Sequence, residues 1–254
     1  MKVLIKLGGT LLDEPGKLAG VAAQLAAAAS THTVAVVHGG GKQVTRFLEE
    51  RGVSSRFVQG LRVSDETVID AVVKVIAGSV NTRLVAGIVA AGRPAIGLSG
   101  VDGSLTLAEH LDPELGFVGR PTSTDGTLLN LLVGAGYLPV VACVAGDKQG
   151  NIYNVNADGM AVSCALGWQA ERLIFLTDVP GVKDGSGHIA RSLADSDIEP
   201  LITSGVAYGG MQAKLEAARE ALRSGLRVTI AAGADQNICS RLLAGEAIGT
   251  ELHA

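Results

Sequence analysis

The chain has 254 residues, a formal net charge of −4, 47% apolar and 18% charged residues, and 34 glycines. That length can bury a substantial core, and the balance is that of a Gly-rich α/β enzyme, not of a disordered or fibrous chain. Aromatics at 3% and the acidic balance argue against a nucleic-acid surface, which needs stacking platforms and clustered positive charge.

Strand and helix patterns alternate from start to end, which argues for a mostly parallel sheet covered by helices. Val3 to Leu7 reads as a buried strand ending in Gly8-Gly9. Pro15 suits a helix start, and Leu18, Val21, Ala22 and Leu25 share one helical face. Thr33 to Val37 is a second strand, closed by His38-Gly39-Gly40-Gly41, and a helix follows from Lys42 to Arg51. Two helices are expected between Asp65 and Ala91, punctuated by Gly78 and Asn81. Pro94 to Leu98 returns to strand, and Leu105 to Val118 reads as an excursion of hairpins outside the core. Thr124 caps a helix running to Ala135, and Leu138 to Val144 is one strand. Arg172 to Thr177 is an apolar strand ending at Asp178-Val179-Pro180-Gly181. Helices near Asp195 to Ser204 and Met211 to Ser224 follow, with Val228 to Ala231 and Ile248 to Leu252 closing the sheet. The one boundary falls near residue 170, where a new run of strand, loop and helix begins.

Cys143, Cys164 and Cys239 lie far apart with no Cys-x-x-Cys, so neither a disulfide framework nor a zinc site is expected, and reduced thiols fit a cytosolic protein. The apolar stretch after Met1 is too short for a signal peptide. The longest apolar run, around Leu18 to Ala29, is Ala-rich, interrupted by Gln24 and too short to span a bilayer. A cytoplasmic protein with no membrane partner is the expectation.

Two strands end in glycine clusters, and in an open α/β sheet ligands sit outside the carboxyl ends of strands. Glycine lets backbone N–H groups approach an anion, although strand-to-helix turns also need glycine for themselves. Neither cluster is a standard phosphate loop. Val36 stands where a Walker A loop needs its first Gly and Gln43 where it needs Ser or Thr, and Val44 breaks the dinucleotide pattern. Gly97-Leu98-Ser99-Gly100-Val101 misses the nucleophile elbow at its last residue.

Two lysines sit against the local rules. Lys6 lies in the apolar run of the first strand, so it faces a carboxylate or a bound anion, or else reaches solvent from an edge. Lys214 lies in the first turn of a helix, where the macrodipole disfavours a cation unless a phosphate shares that helix end; otherwise it is a tolerated surface lysine. Asn154-Val155-Asn156-Ala157-Asp158 is a polar cluster ahead of a helix; a cap by Asn156 or Asp158 accounts for one of its polar residues and not for three. Arg62, in Gly60-Leu61-Arg62-Val63, is either a surface arginine or a bidentate carboxylate clamp.

Taken together, these stretches resemble the amino acid kinase family. The matching segments are Lys6-Leu7-Gly8-Gly9, Val37-His38-Gly39-Gly40-Gly41, Gly60-Leu61-Arg62-Val63, Gly97-Leu98-Ser99-Gly100, Gly136-Tyr137-Leu138-Pro139-Val140, Asn154 to Asp158, Thr177 to Val182 and Gly209-Gly210-Met211-Gln212-Ala213-Lys214. The resemblance implies an αβα sandwich around a mainly parallel, open sheet. It places the amino-acid substrate and the dimer surface in a half spanning residues 1–170, and ATP in a half spanning 171–254. It further implies transfer of the γ-phosphoryl group of ATP to the side-chain carboxylate of N-acetyl-L-glutamate, a step of arginine biosynthesis. Lys6 and Lys214 match the lysines that stabilise charge on the moving phosphoryl group, and Asp158 the aspartate that holds them. Gly9, Gly40 and Gly41 match glycines whose N–H groups touch the phosphoryl path. Arg62 and Asn154 match the residues that grip the α-carboxylate and acetamido group, with Gly40, Gly41 and Asn156 completing the substrate set. Gly8, Gly9, Thr177, Asp178, Val179, Gly181, Val182, Lys183, Val206, Ala207, Tyr208 and Gly210 form the implied phosphate and nucleotide edge.

An acceptor carboxylate with a solution pKa of about 4.3 is already ionised at neutral pH, so no general base is needed. No protein metal site is expected, because Mg²⁺ binds chiefly through ATP oxygens and water. Gln212 and Ala213 depart from the family, which often carries an aliphatic residue and proline there. The alternatives are an N-acylated aminoadipate or another acid acceptor of the same family, and a non-catalytic sensor of ATP and amino acid. Relatives inhibited by arginine carry a helix ahead of the first strand, which Lys2 already opens here; a homodimer insensitive to arginine is therefore expected.

Overall fold

A computed structural model describes residues 1–254, the side chain of Pro15 apart. The first strand, β1 (Lys2–Leu7), is buried from Val3 to Leu7. It is followed by α1 (Pro15–Thr31), β2 (Thr33–His38) and α2 (Gly41–Glu49). A short hairpin of β3 (Phe57–Val58) and β4 (Leu61–Arg62) leads to α3 (Glu66–Val72) and α4 (Asn81–Ala90), which are joined by a π-helical segment over Val73–Val80. Next come β5 (Ala95–Ser99), β6 (Thr106–His110), β7 (Val118–Thr124), α5 (Thr127–Gly134), β8 (Leu138–Ala142), β9 (Val144–Gly146), β10 (Ile152–Val155) and α6 (Ala157–Gly167). The C-terminal part contributes β11 (Arg172–Thr177), β12 (Ser192–Ala194), α7 (Asp195–Thr203), α8 (Gly210–Arg223), β13 (Arg227–Ala232), α9 (Ile238–Leu243) and β14 (Thr250–His253).

Eight strands form one sheet in the order β12-β14-β13-β11-β1-β2-β8-β5. The pairs from β13 through β5 are parallel, and β14 runs antiparallel to β13. β1 and β11 pair at the centre, Lys6 opposite Phe175, so strands from before and after residue 170 meet in the middle of one sheet. Helices cover the sheet: α6 lies on β1 and β11 and packs against α8, while α1, α4 and α9 form another helical layer. Burial on both faces is why the central strands read as unbroken apolar runs instead of alternating ones. The small residues of α6 let it approach closely; Met160, Ala161, Val162, Cys164 and Ala165 are all buried. Its C-terminal end is fixed by Trp168, whose indole N–H donates to Asn130 Oδ1 at 3.1 Å beneath the Lys2 ammonium.

Four short strands form a separate closed barrel in the order β10-β7-β6-β9. The Leu105–Val118 excursion, expected outside the core, contributes to it: Leu105 and Ala108 join the main hydrophobic cluster, and Val118 is buried as well. The stretch expected as one strand over Leu138–Val144 splits: β8 ends at Ala142, Cys143 N–H still donates to His38 O at 3.2 Å, and the chain then enters the barrel as β9. Thr124 is not a helix cap. It belongs to β7, where its hydroxyl bonds those of Thr106 and Ser163 at 2.8 Å each, and Asp125 Oδ1 accepts from Thr127 N–H at the head of α5.

The two helices expected over Asp65–Ala91 are one continuous helix of 25 residues, Glu66–Ala90. Val75, Ile76 and Val80 keep a buried face through Gly78, and the wide turns absorb what the sequence suggests is a break. This helix, and not the Leu18–Ala29 run, is the most apolar long segment. With a mean hydropathy of 1.5 it meets the length and composition needed to cross a membrane. Here it is a core helix, with Val68, Ala71, Val72, Leu84 and Ile88 buried.

Candidate active site

The parallel strands β1, β2, β8, β5 and β11 all point their carboxyl ends to one rim of the sheet, and the polar residues singled out above collect there. Lys6, near the end of β1, is 4% exposed and places its ammonium 2.7 Å from Asp158 Oδ1. Asp158 sits in the first turn of α6, 5% exposed. Its second oxygen lies 3.5 Å from Lys214 Nζ. Lys214 is not a surface lysine. It curls back along α8 to donate to Gly210 O at 3.2 Å, and burial lowers its pKa, with Asp158 opposing that shift. Two ammonium groups share one carboxylate, so the trio keeps a formal charge of +1. Burying such a surplus is costly unless an anion completes it.

A cavity of about 170 Å³ opens on the N-terminal side of this trio, lined by Gly40, Gly41, Arg62, Asn154, Asn156 and Cys143 among others. Arg62 is 7% exposed. Its Nη2 donates to Gly41 O at 2.8 Å and to Thr45 Oγ1 at 2.7 Å, its Nη1 donates to Ser55 Oγ, and its guanidinium lies 4.7 Å from the Phe57 ring. Burial lowers its pKa. Among the described residues no carboxylate pairs with it, so this is a buried guanidinium, held in place and short of a counter-ion. Asn154 Nδ2 donates to Ser64 Oγ at 3.1 Å, and Ser64 Oγ donates to Arg62 O at 2.9 Å, so one serine ties the arginine to the asparagine. Asn156 is the cap of α6: its Oδ1 accepts from the N–H groups of Asp158 and Gly159 at 2.8 and 3.3 Å. It lines the cavity while spending that oxygen on the helix. The Cys143 thiol on the same wall is pushed up to about 12 by burial, with Lys6 opposing, and is therefore a neutral wall group.

A larger cavity of about 480 Å³ lies on the C-terminal side. Thr177, Asp178, Val179, Gly181, Val182, Lys183, Val206, Ala207, Tyr208 and Gly210 line it, as does Lys214. Of the residues expected at a nucleotide edge, only Gly8 and Gly9 stand elsewhere. Gly8 N–H is committed to Leu176 O at 2.8 Å. Gly9 abuts the other glycine cluster, tied to it by Gln43, whose Nε2 donates to Gly9 O at 3.2 Å.

Several residues of the site escaped the sequence reading. Pro180, Ile189 and Met211 also line the larger cavity; Pro180 and Met211 lie inside segments already noted, whereas Ile189 arrives through an antiparallel bridge to Lys183. Ser64 and Thr250 support the walls from behind and carry no pattern that a sequence could display. Among the described residues, no group of three or more His, Cys, Asp and Glu side chains is placed to hold a metal ion.

The fold and this rim define an α/β protein whose strand ends carry a buried cationic centre beside an arginine-lined pocket and a larger cleft. Residues 1–232 match the amino acid kinase family, and the chain belongs to it. It is 57% identical over 254 residues to the acetylglutamate kinase of Solibacter usitatus (strain Ellin6076), with 99% of each chain covered. It is 39% identical over 264 residues to the acetylglutamate kinase of Bartonella tribocorum (strain CIP 105476 / IBS 506), covering 98% of this chain and 88% of that protein. Among solved structures it is similar to the N-acetylglutamate synthase of Neisseria gonorrhoeae complexed with coenzyme A and N-acetyl-glutamate. The TM-score is 0.86 at 25% identity, covering 100% of this chain and 59% of that one.

Proposed function

We propose that this protein transfers the γ-phosphoryl group of ATP to the side-chain carboxylate of N-acetyl-L-glutamate, the acyl-phosphate-forming step that serves arginine biosynthesis. The observation that carries the proposal is the Lys6–Asp158–Lys214 trio and its place in the site. Lys214 lines the larger cavity, while Asn156 and Ala157, next to Asp158, line the smaller. In this reading residues 1–170 hold the acceptor and 171–254 the nucleotide. The acceptor's α-carboxylate supplies the counter-ion that Arg62 lacks, and its acetamido group meets Asn154. Its side-chain carboxylate, ionised at neutral pH, is the attacking group, so the chain needs no general base.

Phosphoryl transfer is mainly positioning and charge neutralisation. Lys6 and Lys214 neutralise the negative charge that spreads over the moving group, and Asp158 keeps both ammonium groups aimed at one point. Mg²⁺ would be held chiefly by phosphate oxygens of the nucleotide and by water. It supplies further charge neutralisation when bound.

The outer side of β5, the last strand of the sheet, makes no strand pair among the described residues. That free edge supports a homodimer built across a two-fold axis, and three free cysteines fit a cytoplasmic location. Light scattering checks this half of the proposal: a mass of about 52 kDa, twice the 25.8 kDa of the chain, is expected, and a monomer contradicts it. For the activity, ADP release is measured with ATP and acetylglutamate, glutamate or acetylaminoadipate. Turnover is expected to be highest with acetylglutamate. Preference for acetylaminoadipate moves the acceptor by one methylene, and ATP consumption with none of the three overturns the proposal.

A further inference from the structure

Behind the glycine cluster of the small cavity lies a buried relay that the chemistry above does not use. Asn81 stands at the end of the π-helical segment, 4% exposed, and His38 at the end of β2 is fully buried. Asn81 Nδ2 lies 2.9 Å from Val140 O on β8 and 3.0 Å from His38 Nε2. A carbonyl oxygen can only accept, so the amide nitrogen faces it, and the second N–H of the same group donates to Nε2. His38 is therefore neutral with its proton on Nδ1, which donates to Gly39 O at 2.8 Å. The relay runs from β8 through Asn81 and His38 to a single peptide group. Space for it is provided by Gly97, where a Cβ atom would stand 1.8 Å from Asn81 Oδ1.

The Gly39–Gly40 peptide is trans and planar, so its C=O and N–H point in opposite directions. Drawing the Gly39 oxygen toward the His38 ring sends the Gly40 N–H the opposite way, and Gly40 lines the cavity. Gly40 is buried, and its N–H donates to no group among the described residues. Orphaned buried N–H groups are rare, and an N–H ahead of a helix is suited to an anionic acceptor. We infer that His38 and Asn81 are positioning residues: they fix the Gly39–Gly40 peptide so that the Gly40 N–H is aimed at an oxygen of the reacting phosphoryl or carboxylate group. The inference rests on the function proposed above.

The test uses the full-length protein with ATP and acetylglutamate. His38→Leu removes the Nδ1 donor, whereas His38→Asn keeps an N–H near the same place. One aimed oxyanion donor is worth about 10²–10³ in turnover, and loosening one without deleting it is expected to cost a part of that. His38→Leu should lower kcat by about tenfold or more with KM for ATP within about twofold of wild type. His38→Asn, which also loses the link to Asn81, should recover part of that loss, to a kcat at least about threefold above that of His38→Leu. Should His38→Leu not fold, Asn81→Ala loosens the relay from its other end and should lower kcat by about threefold or more with KM for ATP unchanged. Wild-type kcat in a folded His38→Leu or Asn81→Ala variant overturns the inference, as does equal impairment of the two His38 variants. A wild-type protein without turnover removes the proposed function itself, and this inference with it.

Discussion

Asp158 joins two lysines from different elements, its oxygens lying 2.7 Å from Lys6 Nζ and 3.5 Å from Lys214 Nζ. A lysine in an apolar strand and a lysine at a helix N-terminus each break a local rule, and such breaks concentrate at functional sites. What the sequence could not display was that one carboxylate answers both. Arg62 shows the opposite case, since nothing local distinguishes it from a surface arginine, yet it is buried, triply held and without an acidic partner. Arg62→Lys keeps the charge and loses the fork that spans Gly41 O, Thr45 and Ser55. Losing a charge-assisted hydrogen bond costs about 1.5–3 kcal/mol, so KM for the acceptor should rise about tenfold or more with KM for ATP nearly unchanged. An equal rise in both would contradict the assignment of Arg62 to the acceptor pocket.

His38 makes a second prediction at this scale. Burial holds its pKa down to about 4, against a smaller raising effect of the Gly39 carbonyl, while the unfolded chain titrates near 6.5. Between those values the unfolded chain binds a proton that the folded chain refuses. Stability is therefore lost as pH falls from about 6.5, and the loss is complete below about 4, where it amounts to roughly 3 kcal/mol. Urea unfolding of wild type and His38→Asn at pH 7.5 and 4.5 checks this. Wild type should lose more stability on acidification than the variant, and parallel losses would show that His38 does not carry a buried neutral imidazole.

Among the elements, the central strands and the long helices followed from apolar runs and helical periodicity, while the misses share one cause: tertiary partners replaced local ones. Gly78 and Asn81 do not end a helix because the apolar face continues and the Asn81 amide is spent on Val140 and His38. The segment from Gly181 to Ala190 is similar, a turn-rich stretch whose shape comes from β14. Thr250, fully buried, accepts from Val182 N–H at 2.8 Å and donates to Ala190 O at 2.6 Å, closing a loop that walls the larger cavity. A Cβ on Gly181 would lie 2.6 Å from Thr250 Oγ1 and 2.8 Å from Ile189 Cγ2. Gly181→Ala should cost about 1–3 kcal/mol of stability, as overpacking does, and raise KM for ATP several-fold with KM for the acceptor unchanged. A variant with wild-type KM for ATP would remove this loop from the nucleotide wall.

For the whole molecule, alternation of strand and helix was enough to expect a parallel sheet, and glycine-ended strands were enough to put the site on its carboxyl rim. The small barrel was not legible, because its strands are short and two of its four pairings, Asn154 with Val118 and Leu107 with Gly146, join residues far apart in the chain, and neither was the seating of β1 beside β11 at the centre of one sheet. That seating brings Lys6, Asp158 and Lys214, from three separate elements, to one point between two cavities. In the proposed reaction a phosphoryl group crosses that point onto a carboxylate. Trapping with hydroxylamine tests it directly, since an acyl phosphate is converted to a hydroxamate that can be quantified. Wild type with ATP and acetylglutamate should form hydroxamate in step with ADP, and Lys214→Ala should form it at least about 10²-fold more slowly, the loss expected for one transition-state donor. ADP release without hydroxamate, or a folded Lys214→Ala variant that forms it at the wild-type rate, would contradict the account.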